Sequence, residues 1–128
     1  MSDGRRYLAA CKRLGIDPWR PGMFAPAFGR IVQVDSEGLW YVRGYKVWCL
    51  APAQIPEAVP DFIEASTRCI LVSVVQQAWG GWPGWGTGRP ERWLTMERNG
   101  EWRWWRGGGV TTGTDALLSA LEACEVRT

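Results

Sequence analysis

Tryptophan is concentrated in one part of this 128-residue chain: seven of the ten tryptophans lie between residues 79 and 105. The stretch WGGWPGWGTGRPERW, residues 79 to 93, places four of them among glycines and prolines. An indole ring gains much free energy from burial, yet glycine offers no side chain to pack against it. The fold must therefore either cover these rings with another part of the chain or leave them exposed to a partner.

The composition is that of a globular protein with little net charge. Hydrophobic residues make up 46% of the chain and charged residues 22%, with a formal net charge of +2. We expect one domain over residues 1–128, without strong electrostatic attraction to nucleic acid or to an anionic membrane. Only Lys12 and Lys46 of the 15 basic residues are lysines. The remaining basic residues are arginines, whose planar guanidinium groups stack well on aromatic rings.

The sequence contains no recognisable targeting or membrane-spanning segment. Its first residues, MSDGRRYLAACKRLG, lack a long apolar run, and the run at 69–75 is too short to cross a bilayer. We therefore expect a cytoplasmic protein without membrane contact. The cysteines are expected to be reduced core residues, because each lies in an apolar pattern far from the others: Cys11, Cys49, Cys69 and Cys124.

The first half of the chain predicts a helix followed by a β-meander. Residues 3–14 place apolar side chains on one stripe, with Ser2 suited to cap the helix and Gly15 to end it. A connection rich in proline follows, with several apolar side chains to hold it down: Trp19, Met23, Phe24 and Phe28. Three strands are then predicted at 30–34, 39–43 and 45–50.

The second half predicts a central strand, a hairpin and a helix. Residues 68–79, RCILVSVVQQAW, are predicted as a central strand because their apolar residues are continuous. Residues 92–106 predict a hairpin with a two-residue turn at Asn99-Gly100, and residues 114–125 predict a helix. The result is an α+β fold: a single domain with a largely antiparallel sheet, made of the meander and the C-terminal Asn-Gly hairpin. The N- and C-terminal helices are expected to pack on one side of this sheet.

A two-residue turn would determine which hairpin side chains share a face. Counting outward from the turn places Leu94, Met96 and Trp105 on one face, which we expect to pack on the core. The opposite face and the adjacent glycine-rich loop would then gather up to six indoles in an exposed aromatic surface: Trp79, Trp82, Trp85, Trp93, Trp102 and Trp104. The alternative is that the loop folds back as a lid, which would bury Trp79 and Trp93 in the core.

No complete catalytic, metal-binding or cofactor-binding motif is present in the sequence. The chain has no histidine, which removes the commonest general base and metal ligand, and its cysteines lack the close pairing of zinc ligands. The glycines at 84–88 lack the lysine of a phosphate-binding loop, and residues 106–115 fit a turn with a helix cap. Glu97 and Glu101 would point to opposite faces, unlike a glycosidase pair. We therefore predict a protein that is not an enzyme and needs neither cofactor nor metal.

The tryptophan- and arginine-rich segment 79–106 favours recognition of a protein partner, because these residue types dominate interface hot spots. The contact side chains are predicted to be Trp82, Trp85, Arg89, Trp93, Trp102, Trp104 and Arg106. The hypothesis includes a regulator or inhibitor, such as the anti-defence proteins of phages and other mobile elements, anti-CRISPR proteins among them. The alternatives are a module that binds single-stranded nucleic acid or saccharide on the same tryptophans, and a homodimer that buries them.

Overall fold

The computed structural model describes residues 2–51, 59–81, 92–106 and 109–125, in which three helices and two antiparallel sheets form an α+β fold. The first helix, α1 (Asp3–Leu14), begins where the Ser2 hydroxyl oxygen accepts a hydrogen bond from the backbone N–H of Arg5 at 3.3 Å. It ends at Gly15, whose φ of 70° lies in the left-handed region. Both ends confirm the sequence prediction.

The predicted meander is confirmed as a sheet of four antiparallel strands in the order β1-β2-β3-β4. Their bounds are β1 (Phe24–Ala25), β2 (Gly29–Asp35), β3 (Gly38–Arg43) and β4 (Lys46–Leu50). Ile31 and Leu39 are fully buried on its inner side. The turn between β2 and β3 requires glycine at position 38, because a Cβ there would lie 2.0 Å from the carbonyl oxygen of Leu50.

The predicted central strand is wrong: residues 65–79 form helix α2 (Ala65–Trp79). Its buried residues recur at helical spacing, namely Thr67, Leu71, Val74 and Val75. A continuous apolar run cannot by itself distinguish a buried strand from a buried helix. The small helix penalty of valine and isoleucine is outweighed here by burial, since α2 packs against the C-terminal helix.

The second sheet contains the predicted hairpin and one additional strand. Its bounds are β5 (Arg92–Met96), β6 (Trp102–Arg106) and β7 (Gly109–Thr112), in the order β5-β6-β7. Strand β7 was not predicted, because its glycine- and threonine-rich sequence also fits a turn. Helix α3 (Gly113–Ala123) follows directly and packs against all three strands and both other helices.

The hairpin register differs by one residue from the prediction. Leu94 pairs with Trp104 and Met96 with Trp102, because the loop has three residues, 98–100. The backbone N–H of Gly100 donates to the carbonyl of Glu97. Within residues 98–100, only Gly100 has a positive φ, of 82°. This is a type I turn followed by a left-handed glycine, and it uses Asn-Gly as readily as the predicted two-residue turn. A shift of one residue exchanges the two faces of a strand.

One hydrophobic core joins the helices to both sheets. The connection after α1 contributes Trp19, Met23 and Phe28, all buried as the sequence predicts. The prediction that all four cysteines are core residues is wrong for Cys49 and Cys69, which are exposed. The other two cysteines are buried, and burial raises the pKa of the Cys11 thiol to about 11. All four are free thiols.

Polar contacts connect the helices to one another and to the meander. The Arg6 guanidinium on α1 lies 2.5 Å from carboxylate oxygens of both Asp115 and Glu122 on α3. Between α2 and the meander, the Thr67 hydroxyl accepts a hydrogen bond from the backbone N–H of Phe24 at 3.0 Å. The Arg6 ion pairs thus attach α1 to α3, and the Thr67 hydrogen bond attaches α2 to the meander.

Candidate functional site

The expected exposed position of Trp104 is wrong, because its side chain is buried with 2% of its surface exposed. The observed register places it on the face with Leu94, which α3 covers. Its ring centre lies 6.0 Å from that of Trp79, and the Trp79 indole N–H donates to the carbonyl of Ala120 at 2.9 Å. Trp104 is therefore a core residue that joins α2, α3 and β6.

Trp102 shares this face but lies near the hairpin turn, where helical cover ends. Its side chain is half-buried against the core, and its strand partner Met96, which we expected in the core, is 55% exposed. A groove of about 550 Å³ lies between this part of the hairpin, the first half of α2 and the start of α3. We call it the Trp102 groove.

The lining of the Trp102 groove is mainly apolar and includes two charged residues. Its apolar lining includes Val72 from α2 and Leu117 from α3, together with the two hairpin side chains. Its charged residues are Arg68 and Glu101, and the exposed thiol of Cys69 also lines it. A groove of this kind can accept an apolar side chain from a ligand while charges of both signs meet its flanks.

The opposite face of the hairpin holds polar contacts. The Trp105 indole N–H donates to the Thr95 hydroxyl at 3.0 Å, whereas we expected Trp105 in the core. The Arg103 guanidinium lies 3.8 Å from a carboxylate oxygen of Glu97 and 3.9 Å from one of Glu101, so the expectation that these two glutamates point to opposite faces is wrong. These two carboxylates offset the positive charge of Arg103, so this face offers little attraction to a nucleic-acid phosphate.

Arg106, another predicted contact residue, is exposed at the end of β6. It lines a separate hollow of about 590 Å³ together with residues of β7 and α3. Trp82, Trp85 and Arg89 lie outside the described residues. Trp93 pairs with Trp105 through its backbone in β5, and its side chain also lies outside what the structure describes.

Sequence reasoning missed Val72, Met96 and Cys69 as residues of the groove. The first and last of these lie on α2, which was expected to be a strand, so no groove between a helix and the hairpin was foreseen. Met96 does share the core-facing side of β5 with Leu94, as predicted, but it lies near the hairpin turn, beyond the part of this face that α3 covers. The signal that could have found them is the helical spacing of the buried residues between Thr67 and Val75.

No protein-family model matches the chain, and neither the curated proteins nor the solved structures that were searched contain a match. In the described ranges, no three histidine, cysteine, aspartate or glutamate side chains gather where they could hold a metal ion. None of the helices seen in that part of the chain has the length and apolar character needed to cross a membrane.

Proposed function

We propose that this chain is a small non-enzymatic binding protein that engages a protein partner through the Trp102 groove. The observation that supports this is the incompletely covered pair Met96 and Trp102, which lines a groove together with the apolar side chains of Val72 and Leu117. A half-buried tryptophan in a concave site is the usual centre of an interface hot spot, because a partner can complete its desolvation.

The charges around the groove favour a protein over the alternative ligands. Arg68 and Glu101 both line the groove, so charges of both signs border it, and the Glu101 carboxylate also lies 3.9 Å from Arg103. A single-stranded nucleic acid would need uncompensated cations next to an exposed ring, and Arg103 lies close to two carboxylates instead. We therefore expect a segment of a protein with an apolar side chain between charged residues.

We retain four further partner contacts on the basis of the sequence alone. Trp82, Trp85, Arg89 and Trp93 lie in or beside the glycine-rich loop that joins α2 to the hairpin, so they are close in sequence to the groove. A role as a regulator or inhibitor, of the kind that mobile elements direct against host defence, is part of the proposal. So is a cytoplasmic location, where exposed thiols such as Cys49 and Cys69 stay reduced.

The experiment compares two lysine substitutions at exposed apolar positions. Met96→Lys changes the groove, whereas Val110→Lys changes β7, where the side chain is 47% exposed. Immobilised wild type and Val110→Lys should retain the same protein from a lysate of the source organism, and Met96→Lys should lose it at least tenfold. Far-UV circular dichroism of all three proteins verifies that they are folded.

Defined ligands test the two alternatives. An oligothymidylate and a soluble oligosaccharide are each added to the wild type while tryptophan fluorescence is followed. We expect no saturable change with either ligand. Retention of the same protein by Met96→Lys would refute the groove as the binding site. Saturable quenching by the oligonucleotide that disappears with added salt would favour the nucleic-acid module instead.

A further inference from the structure

Strand β4 is an edge strand that is exposed on both faces. It lies at the end of the first sheet, and no strand in the described residues pairs with its outer edge. Four of its five residues are exposed, among them Val47 at 61% and Trp48 at 49%. An edge of this kind presents backbone N–H and C=O groups to any strand that can lie beside it.

The usual protection of such an edge is weak in β4. Natural sheets protect their edges with central charges, prolines, bulges or very short strands. The single charged residue of β4 is Lys46, at its first position. The other terminal strand of the same sheet, β1, has only two residues, and β7 in the second sheet has four with glycine at the start. Strand β4, with five residues and its one charge at the end, is thus better suited to pair with another strand than β1 or β7.

The two ends of β4 carry opposite charges. Arg43 and Lys46 are register partners at the end where β3 turns into β4. Asp35 and Glu37 lie at the other end, where the turn between β2 and β3 adjoins Leu50. Desolvation and then the negative charges of these two carboxylates raise the pKa of the Cys49 thiol, which is consistent with that placement. The sheet edge therefore has a cationic end and an anionic end.

We propose that two copies of this chain pair through β4 as antiparallel strands related by a two-fold axis. An antiparallel arrangement brings the cationic end of each copy beside the anionic end of the other, so both ends are satisfied at once. A parallel arrangement would place like charges together. The second copy is thus the occupant that the charge pattern of the edge itself fits, independently of the Trp102 groove.

The register of the pairing follows from the length of β4. Opposed residues of antiparallel strands share a face, and only a two-fold axis at Trp48 then pairs all five residues. This register places Val47 opposite Cys49 of the second copy, and Lys46 opposite Leu50. The Lys46 side chain then lies near the β2–β3 turn of the second copy, which carries Glu37. That turn is one to two strand spacings of about 4.8 Å away. No two like charges face each other.

The expected association is reversible. A stable complex usually buries about 1,200–2,000 Å² of surface, and one edge of five residues buries less, so we expect mainly monomer at about 1 µM and dimer at about 200 µM. Sedimentation velocity over this range should show the mass of the wild type rising from 14.4 kDa toward twice that value. A wild type that stays monomeric throughout would refute the proposal.

Substitutions at the two sheet edges identify the surface. Trp48→Lys places two lysines opposite each other at the centre of the pairing, and should abolish the rise in mass. Val110→Lys, on the exposed edge strand β7, should associate as the wild type does. Loss of association in Val110→Lys but not in Trp48→Lys would assign the contact to β7 and overturn the proposal.

A charge exchange tests the antiparallel arrangement with exposed residues only. Lys46→Glu should weaken association at least fivefold, and the double variant Lys46→Glu with Glu37→Lys should restore it. Within one chain these residues lie at opposite ends of β4, about 13 Å apart along the strand, so the rescue arises between copies. A double variant that associates no better than Lys46→Glu would exclude the two-fold pairing.

Discussion

The two sheets of this protein place the same kind of side chain in opposite environments. Trp104, in the middle of β6, is 2% exposed, whereas Trp48, in the middle of β4, is 49% exposed. Both lie at the centre of five-residue antiparallel strands, Trp48 opposite Tyr41 and Trp104 opposite Leu94. The difference comes from helix α3, which packs on the second sheet but not on the outer end of the first. Whether a tryptophan on a strand is buried thus depends on which other element packs over that strand.

The sheets also differ in how they are joined to the helices. The second sheet contacts α3 through apolar side chains such as Leu94 and Trp104. The first sheet shares the apolar core through Ile31, and in addition has polar contacts to α2, among them the ion pair of Arg30 with Glu64. Substitutions in the second sheet should therefore lower stability mainly through lost apolar packing. Substitutions between the first sheet and α2 should also lower it through lost hydrogen bonds and ion pairs.

The largest contrast is expected between the two tryptophans. Trp104→Ala should lower the free energy of unfolding by about 3–5 kcal/mol, because it leaves a cavity among α2, α3 and β6. Trp48→Ala should cost less, about 0.5–1.5 kcal/mol, since only about half of that side chain is covered in the folded protein. Urea unfolding followed by far-UV circular dichroism measures both values. Equal losses would mean that the outer end of the first sheet is covered after all.

Two glycines at the ends of β3 separate a steric effect from a backbone effect. Gly38→Ala should cost about 2–4 kcal/mol, because φ is 141° and a Cβ would lie 2.0 Å from the carbonyl oxygen of Leu50. Gly44→Ala should cost about 1 kcal/mol, since its φ is 66° but, beyond its two chain neighbours, no atom of the described residues lies within 4 Å of the added carbon. The same unfolding experiment compares them. A Gly38 variant as stable as the Gly44 variant would contradict the close approach of β4.

Two buried threonine hydroxyls test how much the hydrogen bond between α2 and the first sheet contributes to stability. Thr67 makes that bond, and Thr111 in the second sheet is the comparison. Thr67→Val should cost about 1–3 kcal/mol, because the backbone N–H of Phe24 loses its acceptor. Thr111→Val in β7 should be neutral or slightly stabilising, since the buried Thr111 hydroxyl oxygen has no hydrogen-bond partner among the described residues. Thermal unfolding of the two variants at equal concentration makes the comparison. A larger loss in the Thr111 variant would refute it.

The smallest expected effect is the pH dependence due to Glu64. The hydrogen bond from Arg30 holds the pKa of Glu64 below its ordinary value of 4.5, with a further hydrogen bond from Thr67. A lowered folded-state pKa stabilises the fold above the unfolded-state value, and this stability is lost as the pH falls through the folded-state pKa. The contribution should stay below about 1 kcal/mol, because the pair is partly exposed.

Urea unfolding at pH 6 and at pH 3 measures that contribution. Glu64→Gln and Arg30→Gln should each reduce the difference in unfolding free energy between the two pH values, and by similar amounts. If both variants keep the full pH dependence of the wild type, the attachment of the meander does not depend on this ion pair.

The hairpin illustrates how far the candidate site could be predicted from sequence. The presence and position of the hairpin were predicted from Asn99-Gly100 and are confirmed. Its loop length was wrong by one residue, because the same dipeptide fits both a two-residue turn and a three-residue loop. That single residue moved Trp104 from an expected exposed face to the core and left Trp102 at the margin of the groove. Local sequence could not decide between the registers, since the packing of α3 on Leu94 and Trp104 favours one of them.

The sequence alone determined the elements whose signals are local. Helix α1 follows from its apolar stripe, the Ser2 cap and the Gly15 terminus, and the meander follows from strands separated by turn residues. The tertiary structure decided what depends on contacts between distant segments: α2 as a helix, the hairpin register, and which tryptophans are covered. The physical reason is that periodicity and turn chemistry act over a few residues, whereas burial depends on a neighbour supplied from elsewhere in the chain.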